Sequence, residues 1–150
     1  ARVVLEVGCA DGHNLLAVAQ HLPAATVIGT DVSARALRIA RDRTSHLDQV
    51  HVVDATDEDA VRRAVNSPVD CVVLAEVLYY LGGDRGMEQA LASIRPLMGP
   101  KTRVIMVHGS ADASALHARA ANALGRSIAS RVCVPDADRP FEVAVAAVVA

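Results

Sequence analysis

One stretch near the start, Val3-Val4-Leu5-Glu6-Val7-Gly8-Cys9-Ala10-Asp11-Gly12, constrains this chain more than any other. Three aliphatic residues, an acid and a further valine read as a strand buried on both faces. A turn bounded by glycines follows, and a helical pattern opens at His13. A strand that breaks at glycine and re-enters as a helix is how α/β folds bring backbone close to a nucleotide-like ligand. The plain alternative is an ordinary strand-to-helix turn whose glycines only permit positive φ. What lies downstream decides between the two.

Strands and helices alternate along the chain. After strand Val3–Val7, a helix over about His13–His21 carries Leu15, Val18, Ala19 and Leu22 at helical spacing and ends at Pro23. Strand Thr26–Thr30 closes on Asp31, and Ser33 is the N-cap of a helix with Ala34, Leu37 and Ala40 on one stripe. Strand Val50–Val53 closes on Asp54. Thr56 is the expected cap of the next helix, with Asp57, Glu58 and Asp59 at its positive end. Pro68 precedes strand Val69–Ala75, and the segment Glu76–Gly83 leads into a helix carrying Met87, Ala90, Leu91 and Ile94. Pro96–Pro100 reads as a connector, Thr102–His108 as the fifth strand, and about Ser114–Leu124 as the last helix. Strands Ser130–Val134 and Glu142–Val149, joined by the polar stretch from Pro135 to Pro140, form a closing antiparallel pair. This order predicts an α/β fold: a doubly wound, mainly parallel sheet with helices on both faces, in a single domain over 1–150. The strand begins almost at once after Ala1, so the domain reads as one that lacks an N-terminal segment.

Composition narrows the function. With no Trp, two Tyr and one Phe in a chain that is 52% hydrophobic, the core must be aliphatic. A net charge of -2 and the absence of a basic stripe argue against a nucleic-acid partner. Cys9, Cys71 and Cys133 are too far apart for a disulfide framework or a zinc site, and read as reduced thiols of a cytoplasmic protein. No metal-binding constellation is visible, and no apolar run is long enough to span a membrane.

The acids carry the functional argument. Asp31 and Asp54 close strands two and three, and Glu76 follows strand four. In a doubly wound sheet ligands bind at the carboxyl ends of strands, so these acids share a rim with the glycine turn. Asp31 lies nineteen residues after Gly12, a spacing suited to holding both hydroxyls of a ribose. A dinucleotide fingerprint fails, because Ala10 and His13 stand where its second and third glycines belong. A nicotinamide-dependent oxidoreductase is therefore the weaker reading. A phosphate-binding P-loop fails too, because no Gly-Lys-Ser/Thr follows. Glu6 and Asp11 in the turn suit a cationic ligand better than a polyanion.

These residues together resemble the class I S-adenosylmethionine-dependent methyltransferases. Val4–Gly12 is similar to their first motif, Val27-Ile28-Gly29-Thr30-Asp31-Val32-Ser33 to their ribose-binding strand, and Asp54-Ala55 to their adenine-side contact. The resemblance covers nearly the whole chain. It implies a Rossmann-like seven-stranded sheet whose last strand inserts antiparallel beside the fifth. It also implies S-adenosylmethionine as cofactor, held by Glu6, Gly8, Cys9, Ala10, Gly12, Asp31, Val32, Asp54, Ala55 and Ala75. In that scheme the backbone at Gly8 and Ala75 meets the methionine amine, Glu6 orients the turn or reaches the amine through water, Asp31 takes the ribose and Asp54 the adenine amino group. Cys9 fits the turn by its small size. A narrower likeness, in Ala75-Glu76-Val77-Leu78-Tyr79-Tyr80-Leu81, Gly109-Ser110-Ala111-Asp112-Ala113 and the Gly-Cys-Ala turn, is to the NodS-type N-methyltransferases, which modify an amino sugar of an oligosaccharide.

The acceptor is then a small molecule, an amine before an alcohol, met by Glu76, Tyr79, Tyr80, His108 and Ser110. His108 is the first choice for the proton acceptor and Glu76 the second, with Tyr80 in a lid hinged at Gly82-Gly83. His13, His21, His46, His51 and His117 read as solvated or capping residues. The alternative function is a catalytically silent cofactor-binding or regulatory module of the same fold.

Overall fold

The computed structural model describes residues 1–109, 111–135 and 140–148. Ser110, four residues of the Pro135–Pro140 connector and Val149 lie outside the described residues. The elements run β1 (Val3–Val7), α1 (His13–His21), β2 (Thr26–Asp31), α2 (Ala34–Thr44), β3 (Val50–Asp54), α3 (Glu58–Ala64), β4 (Val69–Ala75), α4 (Gly83–Ile94), β5 (Met98–His108), α5 (Ala113–Ala123), β6 (Ser127–Val134) and β7 (Phe141–Ala147). Single 3₁₀ turns stand at Leu78–Tyr80 and Arg95–Leu97. The strands form a seven-stranded sheet in the order β3-β2-β1-β4-β5-β7-β6. The last strand in sequence thus inserts beside the fifth, antiparallel to both β5 and β6, as the family resemblance implies. Among the described residues no helix is long and apolar enough to cross a membrane.

The chain divides into two compact units, Ala1–Val72 and Val73–Ala150, with the boundary inside β4. In the first unit β1 and β2 pair in parallel, as do β2 and β3, with Asp31 opposite Asp54 at the strand ends. Val27, Ile28, Gly29 and Thr30 are all buried, which is why β2 is apolar at successive positions rather than alternate ones. Cys9, Leu15, Ala19 and Val27 form one buried cluster, with Val18, Leu47, Val50 and Val52 packed against it. Burying such aliphatic side chains is worth about 1.5–3 kcal/mol each. The turn and the helix after it are therefore fixed by the core.

In the second unit α5 packs against β5, β6, β7 and α4. Strand β7 alternates, with Glu142, Ala144 and Ala146 buried, whereas the edge strand β6 is mostly exposed. Two boundaries depart from the sequence pattern. Strand β5 begins at Met98, inside the expected connector. Pro100 is exposed near the start of the strand, where a missing N–H is tolerated, and Gly99 is held by Thr102 Oγ1 and by the Arg126 guanidinium. Strand β6 begins at Ser127, carried past a bulge between Ile128 and Ser130 by its ladder to β7. The cap of α3 also differs. Asp57, not Thr56, accepts from the Ala60 amide, because the Thr56 hydroxyl is taken by Asp54.

Candidate functional site

The glycine turn is built by backbone geometry that few residues tolerate. Gly8 has φ 76° and Gly12 φ 79°, both left-handed. At Gly12 a Cβ would also stand 2.9 Å from the Ala40 Cβ, so α1 can start against α2 only if this residue has no side chain. Between them Ala10 has φ 46°, a left-handed alanine. Such a conformation costs about 1–2 kcal/mol outside glycine and collects at functional sites. The amides of Gly8 and Cys9 both donate to the Thr30 carbonyl, at 2.7 and 2.9 Å, tying the turn to the end of β2.

Asp31 lies at the end of β2 and reaches this turn. Its Oδ2 accepts from the Ala10 amide at 2.9 Å and its Oδ1 from the Ser33 amide at 2.8 Å. The Ala55 amide donates to the Asp31 carbonyl at 2.9 Å, so the end of β3 is joined to the same place. Asp54 Oδ1 accepts from both the amide and the hydroxyl of Thr56, which holds its carboxyl below the usual carboxylate range. Val32, next to Asp31, is 74% exposed, an apolar surface beside two carboxylates.

Glu6 sits beneath the turn, 3% exposed. Asn14 donates to its Oε1 at 2.8 Å, while Oε2 is buried with no hydrogen-bond partner among the described residues. Burial pushes its carboxyl up to about 7, against the smaller opposing effect of Asn14. The thiol of Cys9 is pushed up to about 12 by burial and by the charges of Glu6 and Asp31, so it stays protonated and unreactive.

The second unit carries the other group of candidates. Glu76 follows β4 with φ 53°, a second non-glycine residue in the left-handed region. Its Oε1 accepts from the Gly109 amide at 2.8 Å, and the Tyr79 hydroxyl donates to Oε2. The Tyr79 ring stands edge-on to His108, with centroids 5.0 Å apart, and edge-on to Tyr80, which is 81% exposed. His108 is fully buried. Its Nε2 accepts from the Leu78 amide at 3.2 Å and its Nδ1 lies 2.9 Å from His117 Nε2. His117 Nδ1 is 2.9 Å from Glu142 Oε1. Burial, the neighbouring His117 and, in the opposite sense, Glu76 leave the His108 imidazole at about 4.

Residues 5–104, two thirds of the chain, match the model of a family described as a methyltransferase domain. The chain belongs to this family. Solved structures with the same fold include the N-methyltransferase NodS from Bradyrhizobium japonicum WM9, at 21% identity and TM-score 0.72 over 96% of this chain and 84% of that one. NodS in complex with S-adenosyl-L-homocysteine gives 22% identity and TM-score 0.75 over 96% of this chain and 76% of that one. A TehB-like SAM-dependent methyltransferase from Corynebacterium glutamicum gives 20% identity and TM-score 0.72 over 99% and 80%. Likeness at these identities establishes the fold alone. Among curated proteins no sequence matches the chain.

Within this methyltransferase the expected cofactor residues of the first unit gather at one place. Glu6, Gly8, Cys9, Ala10 and Gly12 form the turn, Asp31 is bonded to it, and Asp54 and Ala55 are bonded to the end of β2. Ala75 ends β4 in the second unit, where Tyr79 bonds Glu76 and packs edge-on to His108, and Tyr80 stands edge-on to Tyr79. Both ring nitrogens of His108 are engaged, which leaves no lone pair on it for an acceptor's proton. His117 differs from the sequence expectation: it is fully buried, not solvated. The signal was present, since Ala113, His117, Ala120 and Ala121 form the buried stripe of α5. Glu142 was also legible as a charge at a buried position of an alternating strand.

Proposed function

We propose that this methyltransferase moves the methyl group of S-adenosylmethionine onto the nitrogen of a small-molecule amine, an amino sugar or oligosaccharide being the candidate within that class. Residues 1–150 act in this reading as one domain. The observation that carries it is the acid-lined turn: Asp31 bonded to the Ala10 amide above a buried Glu6 whose Oε2 has no partner among the described residues. These residues fit the cofactor. A carboxyl that burial holds near neutrality is one whose ionised form a nearby cation stabilises. The Asp31 carboxylate has about four lone-pair sites, and the Ala10 and Ser33 amides occupy two, leaving acceptors for ribose hydroxyls. Thr56 takes Oδ1 of Asp54, which leaves Oδ2 for the adenine amino group. Val32 offers apolar contact to the adenine face.

The cofactor supplies a methyl group already activated by its sulfonium charge. What remains for the protein is alignment in a site poor in water. Glu76, fixed by Gly109 and Tyr79, orients the amine and accepts its proton, and Tyr80 covers the acceptor. The N-methyltransferase activity of NodS supports nitrogen over oxygen.

Calorimetry with S-adenosylmethionine and S-adenosylhomocysteine, followed by methyl transfer to panels of amines and alcohols, tests the reading. Binding of both with transfer to amines is the expected result. Binding without transfer to any acceptor identifies a silent module, and binding of neither overturns the proposal.

A further inference from the structure

His108 on β5 and Glu142 on β7 face each other in the antiparallel ladder. Both are buried, and His117 of α5 bridges them. The protons in this bridge can be assigned from one fixed point. A backbone amide only donates, so the Leu78 N–H requires a lone pair on His108 Nε2. A neutral imidazole has one donor and one acceptor, so His108 carries its proton on Nδ1. That proton points at His117 Nε2, which must accept, and His117 then carries its own proton on Nδ1, toward Glu142 Oε1. The Ser114 hydroxyl donates to the other carboxylate oxygen of Glu142, and the Arg131 guanidinium stands 3.8 Å away. Every donor meets an acceptor, and each bond runs the same way, from Leu78 to the Glu142 charge.

What hangs from the far end is the turn after β4. Leu78 lies two residues beyond the left-handed Glu76, and Tyr79, which bonds Glu76, packs on the His108 ring. A strained turn persists only where its surroundings over-determine it.

We propose that His117 and Glu142 are positioning residues for methyl transfer: they fix His108 in the Nδ1–H tautomer, and His108 in turn clamps the Leu78 amide and the turn that presents Glu76 and Tyr80. This rests on the reading that the turn handles the acceptor. Without the carboxylate, His117 is free to protonate Nε2 instead. It would then donate to His108 Nδ1, move the His108 proton to Nε2 and set it against the Leu78 N–H.

The test is nitrogen-15 NMR of the histidines at neutral pH, with hydrogen exchange at the Leu78 amide. The wild-type chain should show both rings protonated at Nδ1 and unprotonated at Nε2. A wild-type His108 protonated at Nε2 overturns the proposal without any variant. Glu142→Leu should shift the His108 tautomer, speed Leu78 exchange by about tenfold or more, and lower kcat by about tenfold or more while cofactor Kd stays within about threefold. Glu142→Gln, which keeps a carbonyl to accept from His117, should restore the tautomer and most of kcat. An unchanged tautomer in Glu142→Leu, or a changed tautomer with unchanged kcat, overturns it. Tautomer and exchange are read without turnover. A wild-type chain with the expected tautomers but no methyl transfer therefore overturns the proposed function and leaves the clamp standing.

Discussion

Oδ2 of Asp31 accepts a hydrogen bond from the amide of Ala10, 21 residues earlier in the chain, at 2.9 Å. The same carboxylate thus holds the left-handed alanine of the turn and offers its remaining lone pairs outward. Asp31→Ala removes both, and S-adenosylmethionine binding should weaken by a few kcal/mol, about a hundredfold in Kd. Asp31→Asn keeps one acceptor oxygen and should lose less. Calorimetry compares the three, and equal affinities would separate Asp31 from the cofactor.

Glu6 and His108 should give opposite pH dependences of stability. The Glu6 carboxyl is raised from 4.5 to about 7, so the folded chain holds the extra proton between those values and stability falls as pH rises through them. The His108 imidazole is lowered from 6.5 to about 4, so the unfolded chain holds the extra proton there and stability rises with pH. Each is worth about 3 kcal/mol over its full window. Between pH 4.5 and 6.5 the two nearly cancel. Glu6→Gln should unmask the rise, visible as a denaturation midpoint that climbs with pH more steeply than in wild type.

Cofactor binding should also release protons near pH 7. A cation close to the turn favours ionised Glu6, whose carboxyl is half-protonated there. Calorimetry in buffers of different ionisation enthalpy reads the number released, and Glu6→Gln should abolish it.

Gly12→Ala should destabilise the chain by about 2–4 kcal/mol, combining a left-handed alanine with overlap on Ala40. Ala10→Gly should have the opposite sign and be smaller, because relief of left-handed strain is partly offset by the entropy glycine loses on folding. Urea denaturation measures both.

The cysteines should differ in reactivity. Cys9 is buried, with its thiol pushed up to about 12, while Cys133 is exposed. A maleimide should label Cys133 in the folded chain and reach Cys9 only on unfolding, as mass spectrometry of the digested chain would show.

The parts of this methyltransferase that local pattern encodes were legible in its residues. Strand β1, the glycine turn and α1 stand where the sequence places them, because burial of aliphatic residues and the conformational needs of Gly8 and Gly12 are properties of a short stretch. Asp31 was found from its distance to Gly12, a spacing set by one strand–helix–strand unit. Its partner in the turn was not foreseen, and neither was the left-handed backbone of Ala10 and Glu76, which glycine preference argues against. Edge strand β6 began earlier than its residues suggest because an exposed strand has no apolar alternation to mark it.

What only the tertiary structure decided is which polar groups share a proton. Sequence alone placed Leu78, His108, His117 and Glu142 on four separate elements and could count their donors and acceptors. The direction of each hydrogen bond follows from a backbone amide whose position is set by packing, and imidazole chemistry is the same whichever nitrogen carries the hydrogen. Local periodicity reports which residues are buried. It cannot report which of them meet, because those distances are fixed by how β5, α5 and β7 pack together.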